Sequence, residues 1–149
     1  KQNVKKLTAD LKHAKLSVAE VHSDLEQKER EQALQDFRNE KISIIVATDI
    51  LSRGIDIDDI DLVINYDVPN DGEDYIHRIG RTARAASSGT AFTLVGQKEQ
   101  SKFAQIEDLL GAPVLKGTVP EEFGETPNYA PKLVRSGNKR NHSTMRKAR

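Results

Sequence analysis

Short apolar runs alternate with amphipathic stretches over the first 110 residues, and this alternation limits the possible folds more than any other feature of the chain. The strand-like runs, rich in β-branched residues, cover 18–22, 42–47, 62–66 and 90–95. The helical patterns cover 4–16, 27–39, 73–79 and 98–110. Strands and helices that alternate in this way form a parallel sheet with helices on both faces. The sequence therefore predicts one α/β domain.

Residues 77–84, with the sequence HRIGRTAR, hold four basic side chains directly after an acidic stretch that is typical of a helix start. Arg81 and Arg84 are three positions apart and His77 precedes Arg81 by four, so the spacing predicts one shared helix face. Two guanidinium groups side by side suit an anion with charge spread over several oxygens, such as a phosphoryl group. The alternative interpretation is a solvated basic turn.

Residues 47–56, with the sequence ATDILSRGID, follow an apolar run that is typical of a buried strand. In α/β sheets, ligands collect where loops leave the carboxyl ends of strands. Thr48, Asp49, Arg53 and Asp56 supply polar groups on such a loop, and Gly54 permits a close backbone approach. The alternative is an ordinary connecting loop in which Asp49 caps a helix.

Together these two segments resemble motifs VI and V of the carboxyl-terminal RecA-like half of DEAD-box ATP-dependent RNA helicases. A third segment, residues 22–30, is similar to the family element that carries Gln-x-x-Arg, here Gln27 and Arg30. The resemblance runs in the family's order from about Lys1 to Leu110. His77 is typical of the DEAD-box group, whereas many related helicases and translocases have Gln at that position.

The resemblance implies a role for each matched residue in ATP binding. Arg81 and Arg84 would contact the γ-phosphate, with Arg84 as the arginine finger, and Asp56 would bind the ribose beside Gly54. His77 would couple the nucleotide to the other domain.

RNA would be held through its phosphate and sugar backbone. The implied RNA-binding residues are Gln27, Arg30, Thr48, Asp49, Arg53 and Gly54. Contacts of this kind position RNA without reading its bases, so binding is expected to be sequence-independent. The chain departs from the family pattern at Ser23 and Ala83, where glycine is usual, and at Leu51 and Ser52, where two small residues are common.

The 149 residues contain neither a GxxxxGKT phosphate loop nor a DEAD stretch. The resemblance places both in an amino-terminal RecA-like domain, which would hold the magnesium ion of Mg-ATP. We therefore expect this chain to need that partner domain for ATP hydrolysis and to be inactive alone. It is also expected to lack the first strand of the domain. An alternative function is an RNA- or protein-binding module that keeps the RecA-like fold without catalysis.

Composition separates residues 1–116, the predicted helicase domain, from a tail at 117–149. All 23 acidic residues lie at or before Glu125, whereas seven basic residues and no acidic ones follow Tyr129. The tail contains three prolines and no periodicity, so it is predicted to be disordered or extended. It could bind RNA, rest on the acidic body, or dock through residues 127–131 on the domain's own surface or on a partner.

The remaining composition indicates few further functions. There is no cysteine and no apolar run of about 20 residues, which fits a cytoplasmic location and argues against disulfides or a membrane span. His13 and His142 lack ligand spacing, so no metal site is predicted. The sequence does not indicate which RNA or protein the chain would bind.

Overall fold

The computed structural model describes residues 1–48, 57, 60–82 and 89–132. The chain forms two compact units, Lys1–Val95 and Gly96–Arg149. The helices are α1 (Gln2–His13), α2 (Gln27–Arg38), α3 (Gly72–Ile79) and α4 (Gln100–Leu110), and a short 3₁₀ helix covers Glu121–Phe123. The strands are β1 (Val18–Val21), β2 (Ile44–Ala47), β3 (Leu62–Asn65) and β4 (Thr90–Thr93).

The first strand pair consists of β1 and β2, which run parallel with Val18 opposite Ile44. Helices α1 and α2 both contact this pair. In α1, Val4 and Thr8 are buried one helical turn apart and Leu7 and Leu11 are half-buried, so this side of the helix faces the protein interior. Lys15 has a φ of 61°, a left-handed conformation that ends the helix before β1 begins.

The second strand pair consists of β3 and β4, again parallel, with Ile64 opposite Phe92. Helix α3 follows β3 and is capped by Asp71, whose carboxylate accepts a hydrogen bond from the Glu73 backbone N–H at 2.8 Å. Ile64 and Phe92 share one face and are more than half exposed. That face is therefore not covered within the described residues.

The second unit is built on α4, which buries Gln100, Phe103, Ala104 and Ile106. Gly111 follows the helix with a φ of 68°, the left-handed conformation that favours glycine at a helix end. From there to Lys132 the chain has no regular secondary structure apart from the 3₁₀ helix, and most of its side chains are exposed.

All eight predicted elements are present, with ends that differ from the prediction by up to three residues. Two details differ. The described strands form two separate parallel pairs instead of one continuous sheet, and the side chains of β2 are half-buried or exposed where a buried strand was predicted. The domain boundary at residue 116 stays a prediction. Within the described ranges, no helix is long and apolar enough to cross a membrane.

Candidate functional site

Thr48 lies directly beyond the carboxyl end of β2. Its backbone N–H donates to the Val21 carbonyl at 3.2 Å, which continues the pairing with β1 by one residue. Its hydroxyl is buried and has no hydrogen-bond partner among the described residues. Because a buried hydroxyl without a partner is energetically costly, Thr48 is a good candidate for contact with a ligand.

The start of α2 positions the Gln-x-x-Arg pair. Glu26 and Glu29 form a capping box, in which the Glu26 N–H donates to the Glu29 carboxylate at 2.8 Å. Gln27 is exposed, and its amide donates to Glu31 one turn along the helix at 2.6 Å. Arg30 is half-buried, and its Nε has no hydrogen-bond partner among the described residues. Of this pair, Arg30 therefore has a buried donor without a partner among the described residues, whereas the exposed Gln27 amide uses one of its two N–H groups.

Helix α3 carries the first half of the basic octet and ends before Arg81. His77 is exposed in its last turn, and Gly80 caps the helix at its carboxyl end. The Arg81 N–H donates to the Arg78 carbonyl at 3.2 Å, a spacing of three residues that is typical of a tighter turn. The prediction that His77 and Arg81 share one helix face was therefore wrong, since Arg81 lies in the turn that follows the helix.

The backbone of this turn is fixed against the amino end of β3. The Arg81 carbonyl accepts a hydrogen bond from the Ile60 N–H at 3.4 Å, two residues before the strand. Thr82 is buried, and its hydroxyl donates to the Ile79 carbonyl at 3.2 Å. A Cβ added at Gly89 would lie 2.3 Å from the Thr82 Cβ, so the two backbones can approach only because residue 89 is glycine.

Arg78 joins α3 to the second strand pair, which the sequence did not predict. Its Nη1 donates to the Asn65 Oδ1 at 3.0 Å, and the Asn65 amide donates to the Thr93 hydroxyl at 3.2 Å. Asn65 is 1% exposed, so both bonds are shielded from water. Burial lowers the pKa of Arg78 from its ordinary value. The only sequence feature that could have indicated this bond is Asn65 itself, a polar residue at the end of an otherwise apolar strand.

The structure thus shows where part of the predicted site lies. Thr48 continues the carboxyl edge of the first strand pair, Arg30 lies on the helix after β1, and Arg81 is held at the amino end of β3. The remaining predicted residues lie outside the described ranges: Asp49, Arg53, Gly54, Asp56 and Arg84. Among the residues that are described, no group of three or more metal-binding side chains is present.

Comparison with known families identifies the chain. The model of the helicase conserved C-terminal domain matches residues 1–86, more than half of the sequence. The chain belongs to the helicase C-terminal domain family. This helicase domain is also similar to the ATP-dependent rRNA helicase RRP3 of Encephalitozoon cuniculi, with 52% identity over 87 residues, which cover 58% of this chain and 22% of that protein.

Solved structures extend the similarity to the fold. A DEAD-box protein from Methanococcus jannaschii has a TM-score of 0.73 and 39% identity, covering 78% of this chain and 32% of that one. Saccharomyces cerevisiae Dbp5 bound to RNA and ADP BeF3 has a TM-score of 0.70 and 33% identity, covering 76% and 31%. The predicted RecA-like fold and DEAD-box membership are confirmed. The helicase domain spans about a quarter of the length of the curated relatives it matches.

Proposed function

We propose that this helicase domain is the carboxyl-terminal half of an ATP-dependent RNA helicase, which hydrolyses ATP and locally unwinds RNA duplexes when joined to an amino-terminal RecA-like domain. The observation that carries the proposal is the family match over the segment that contains all three motifs. The described donors fit an anionic ligand, because Arg30 and Thr48 have buried polar atoms without a partner among the residues that the structure describes. The relatives named as rRNA helicases make ribosomal RNA the first substrate to test.

In this proposal the basic octet serves ATP hydrolysis. Mg-ATP, with the magnesium ion held by the amino-terminal domain, supplies the γ-phosphoryl group that is transferred to water. Arg84 and Arg81 stabilise the negative charge that spreads over the phosphoryl oxygens, and such an arginine contributes on the order of 10³–10⁵ in rate. His77 couples the nucleotide to the other domain, and Asp56 with Gly54 positions the ribose.

RNA is held at the carboxyl edge of the first strand pair and its loop. Arg30, Thr48 and Arg53 contact the phosphates, and Gln27, Asp49 and Gly54 complete the backbone surface. Gln27 can do so while it keeps its bond to Glu31, because the side-chain amide has a second N–H donor. Since phosphate contacts do not read bases, binding is sequence-independent. The cytoplasmic location stays a prediction.

The test uses the two-domain protein, with ATP hydrolysis measured with and without single-stranded RNA. Hydrolysis in the wild type should be strongly stimulated by RNA, and the isolated helicase domain should be inactive. Arg84→Ala should lose most of the hydrolysis while RNA affinity stays within about twofold of the wild type, because a residue that contacts only phosphoryl oxygens adds little to RNA binding. Arg84→Lys keeps the charge and loses the planar fork, so it should recover only part of the rate.

Two outcomes contradict the proposal. Normal turnover by Arg84→Ala would remove the arginine-finger role. No hydrolysis by the two-domain protein, with RNA present or absent, would instead favour an RNA- or protein-binding module without catalysis.

A further inference from the structure

A buried glutamine on α4 holds an extended segment of the chain through its backbone. The Gln100 amide donates to the Asn128 carbonyl at 2.8 Å, and the Gln100 Oε1 accepts the Ala130 N–H at 2.9 Å. Gln100 is 5% exposed, whereas Asn128 and Ala130 are exposed. One side chain therefore bonds to both residues that flank Tyr129, as a neighbouring strand would.

Tyr129 itself enters a cluster further along the same helix. Its hydroxyl donates to the Glu107 carboxylate at 2.5 Å, and its ring meets Phe103 edge to face, with 6.4 Å between the centroids. The Lys116 Nζ lies 4.3 Å from the centroid of the Tyr129 ring and also bonds to Glu107. The tyrosine is thus recognised through its ring and its hydroxyl at once.

Glu107 organises this cluster. Burial opposes its charge, but hydrogen bonds from Lys116, Tyr129 and the Val114 N–H together lower its pKa below the ordinary value of 4.5. Burial and the neighbouring carboxylate in turn raise the pKa of the Tyr129 hydroxyl. At neutral pH the pair is therefore a carboxylate acceptor and a protonated phenol donor.

The contacts are concentrated at this one place. Between α4 and the held segment the side chains are mostly exposed, and Leu115 and Phe123 are 94% and 74% exposed. Continuous packing would bury such large apolar side chains. The segment is therefore retained by a local site around residues 128–130 and not by a general apolar surface.

We propose that α4 and Lys116 form a binding site for an extended peptide that contains a tyrosine, and that residues 128–130 of this chain are its resident ligand. Gln100 binds the peptide backbone, while Phe103, Glu107 and Lys116 bind the tyrosine. The site rejects phosphotyrosine, because a phosphate ester cannot donate to Glu107 and its negative charge repels that carboxylate.

The experiment supplies the peptide separately. A fluorescent peptide with the sequence of residues 125–132 is titrated into the full 149-residue chain carrying Tyr129→Ala, and anisotropy is recorded. The variant should bind the peptide saturably. The wild type should bind it at least about tenfold more weakly, since its own segment competes at a high effective concentration.

Peptide variants test which groups of the tyrosine side chain the site recognises. Phenylalanine in place of tyrosine should weaken binding by about tenfold or more, the factor expected for a hydrogen bond to a charged acceptor. The phosphotyrosine peptide should not bind measurably. Adding Glu107→Gln to the Tyr129→Ala chain should reduce the preference for tyrosine over phenylalanine.

Circular dichroism first establishes that the Tyr129→Ala chain is folded. A folded variant that fails to bind the peptide, or that binds all three peptides equally, would overturn the proposal. Equal binding by the wild type would overturn the assignment of residues 128–130 as resident ligand. If the variant unfolds, hydrogen exchange of the Ala130 amide in the wild type tests the proposal, because that amide is bonded to Gln100. Excess unlabelled peptide should displace residues 128–130 and accelerate the exchange of this amide. Unchanged exchange would refute the proposal that the site can take a separate peptide.

Discussion

Replacement of Arg78 by alanine should destabilise the first unit, because the arginine joins α3 to a buried asparagine. The Nη1 donor lies 3.0 Å from the Asn65 Oδ1, and Asn65 is 1% exposed, so the substitution removes the charged partner of a buried acceptor. A hydrogen bond to a charged group contributes about 1.5–3 kcal/mol. Since Arg78 is only half-buried, we take the middle of this range and expect a loss of about 2 kcal/mol.

The assay is urea unfolding followed by far-UV circular dichroism. In a thermal melt, the same loss of about 2 kcal/mol would appear as a fall of roughly 4–8 °C in Tm for a chain of this length. Lys6→Ala removes an exposed charge on α1 and should change the unfolding free energy by less than about 0.5 kcal/mol.

A double-mutant cycle with Asn65→Ala isolates the bond from other effects of each substitution. The two substitutions should be clearly non-additive, because the Arg78–Asn65 bond is already lost in either single variant and cannot be lost again in the double variant. A coupling energy below about 0.5 kcal/mol would refute the reasoning, since such near-additivity is expected only of residues that do not contact each other.

Three further predictions concern a glycine, a phosphate contact and a titrating carboxylate. Gly89→Ala should lower the free energy of unfolding, measured in urea, by about 1–3 kcal/mol, because the new Cβ would lie 2.3 Å from a neighbouring side chain. Gly117→Ala is the control and should be neutral, because nothing lies within 4 Å of its Cβ position. Arg30→Ala should weaken single-stranded RNA binding and reduce the slope of log affinity against log salt concentration by about 0.7, the value for one lost phosphate contact. Lys28→Ala removes an exposed charge on the same helix and should change neither the affinity nor the slope. The folded pKa of Glu107 is lowered, so its contribution to stability is present above pH 4.5 and is lost as the pH falls through the lower folded value. Glu107→Gln should therefore unfold at a lower temperature than the wild type at pH 7, and calorimetry should find this difference reduced at pH 3.

The elements of the fold were predictable because they rest on local patterns. The stripe of Val4, Leu7 and Leu11 and the β-branched run at 42–47 reveal helix and strand through spacing alone. The parallel orientation followed from the alternation, and the family match confirmed the family that the motifs had suggested.

The sequence suggested the candidate site as a set of residues, which stays a prediction, but it did not reveal the geometry of the part that the structure describes. Helical spacing placed His77 and Arg81 on one face, yet the helix ends at Ile79 and the turn is held by a bond to Ile60, about 20 residues earlier. No local pattern in the octet reports that bond.

The sequence by itself determined the family and the order of helices and strands, and it suggested the residues that we propose for phosphate and RNA contact. Only the tertiary structure decided that Arg78 binds Asn65 across 13 residues of chain and that Gln100 binds Asn128 across 28. Periodicity reports which side of an element is apolar, because that depends on neighbours within one or two turns. A polar contact between distant residues depends on how the elements pack, and no spacing within either segment encodes it.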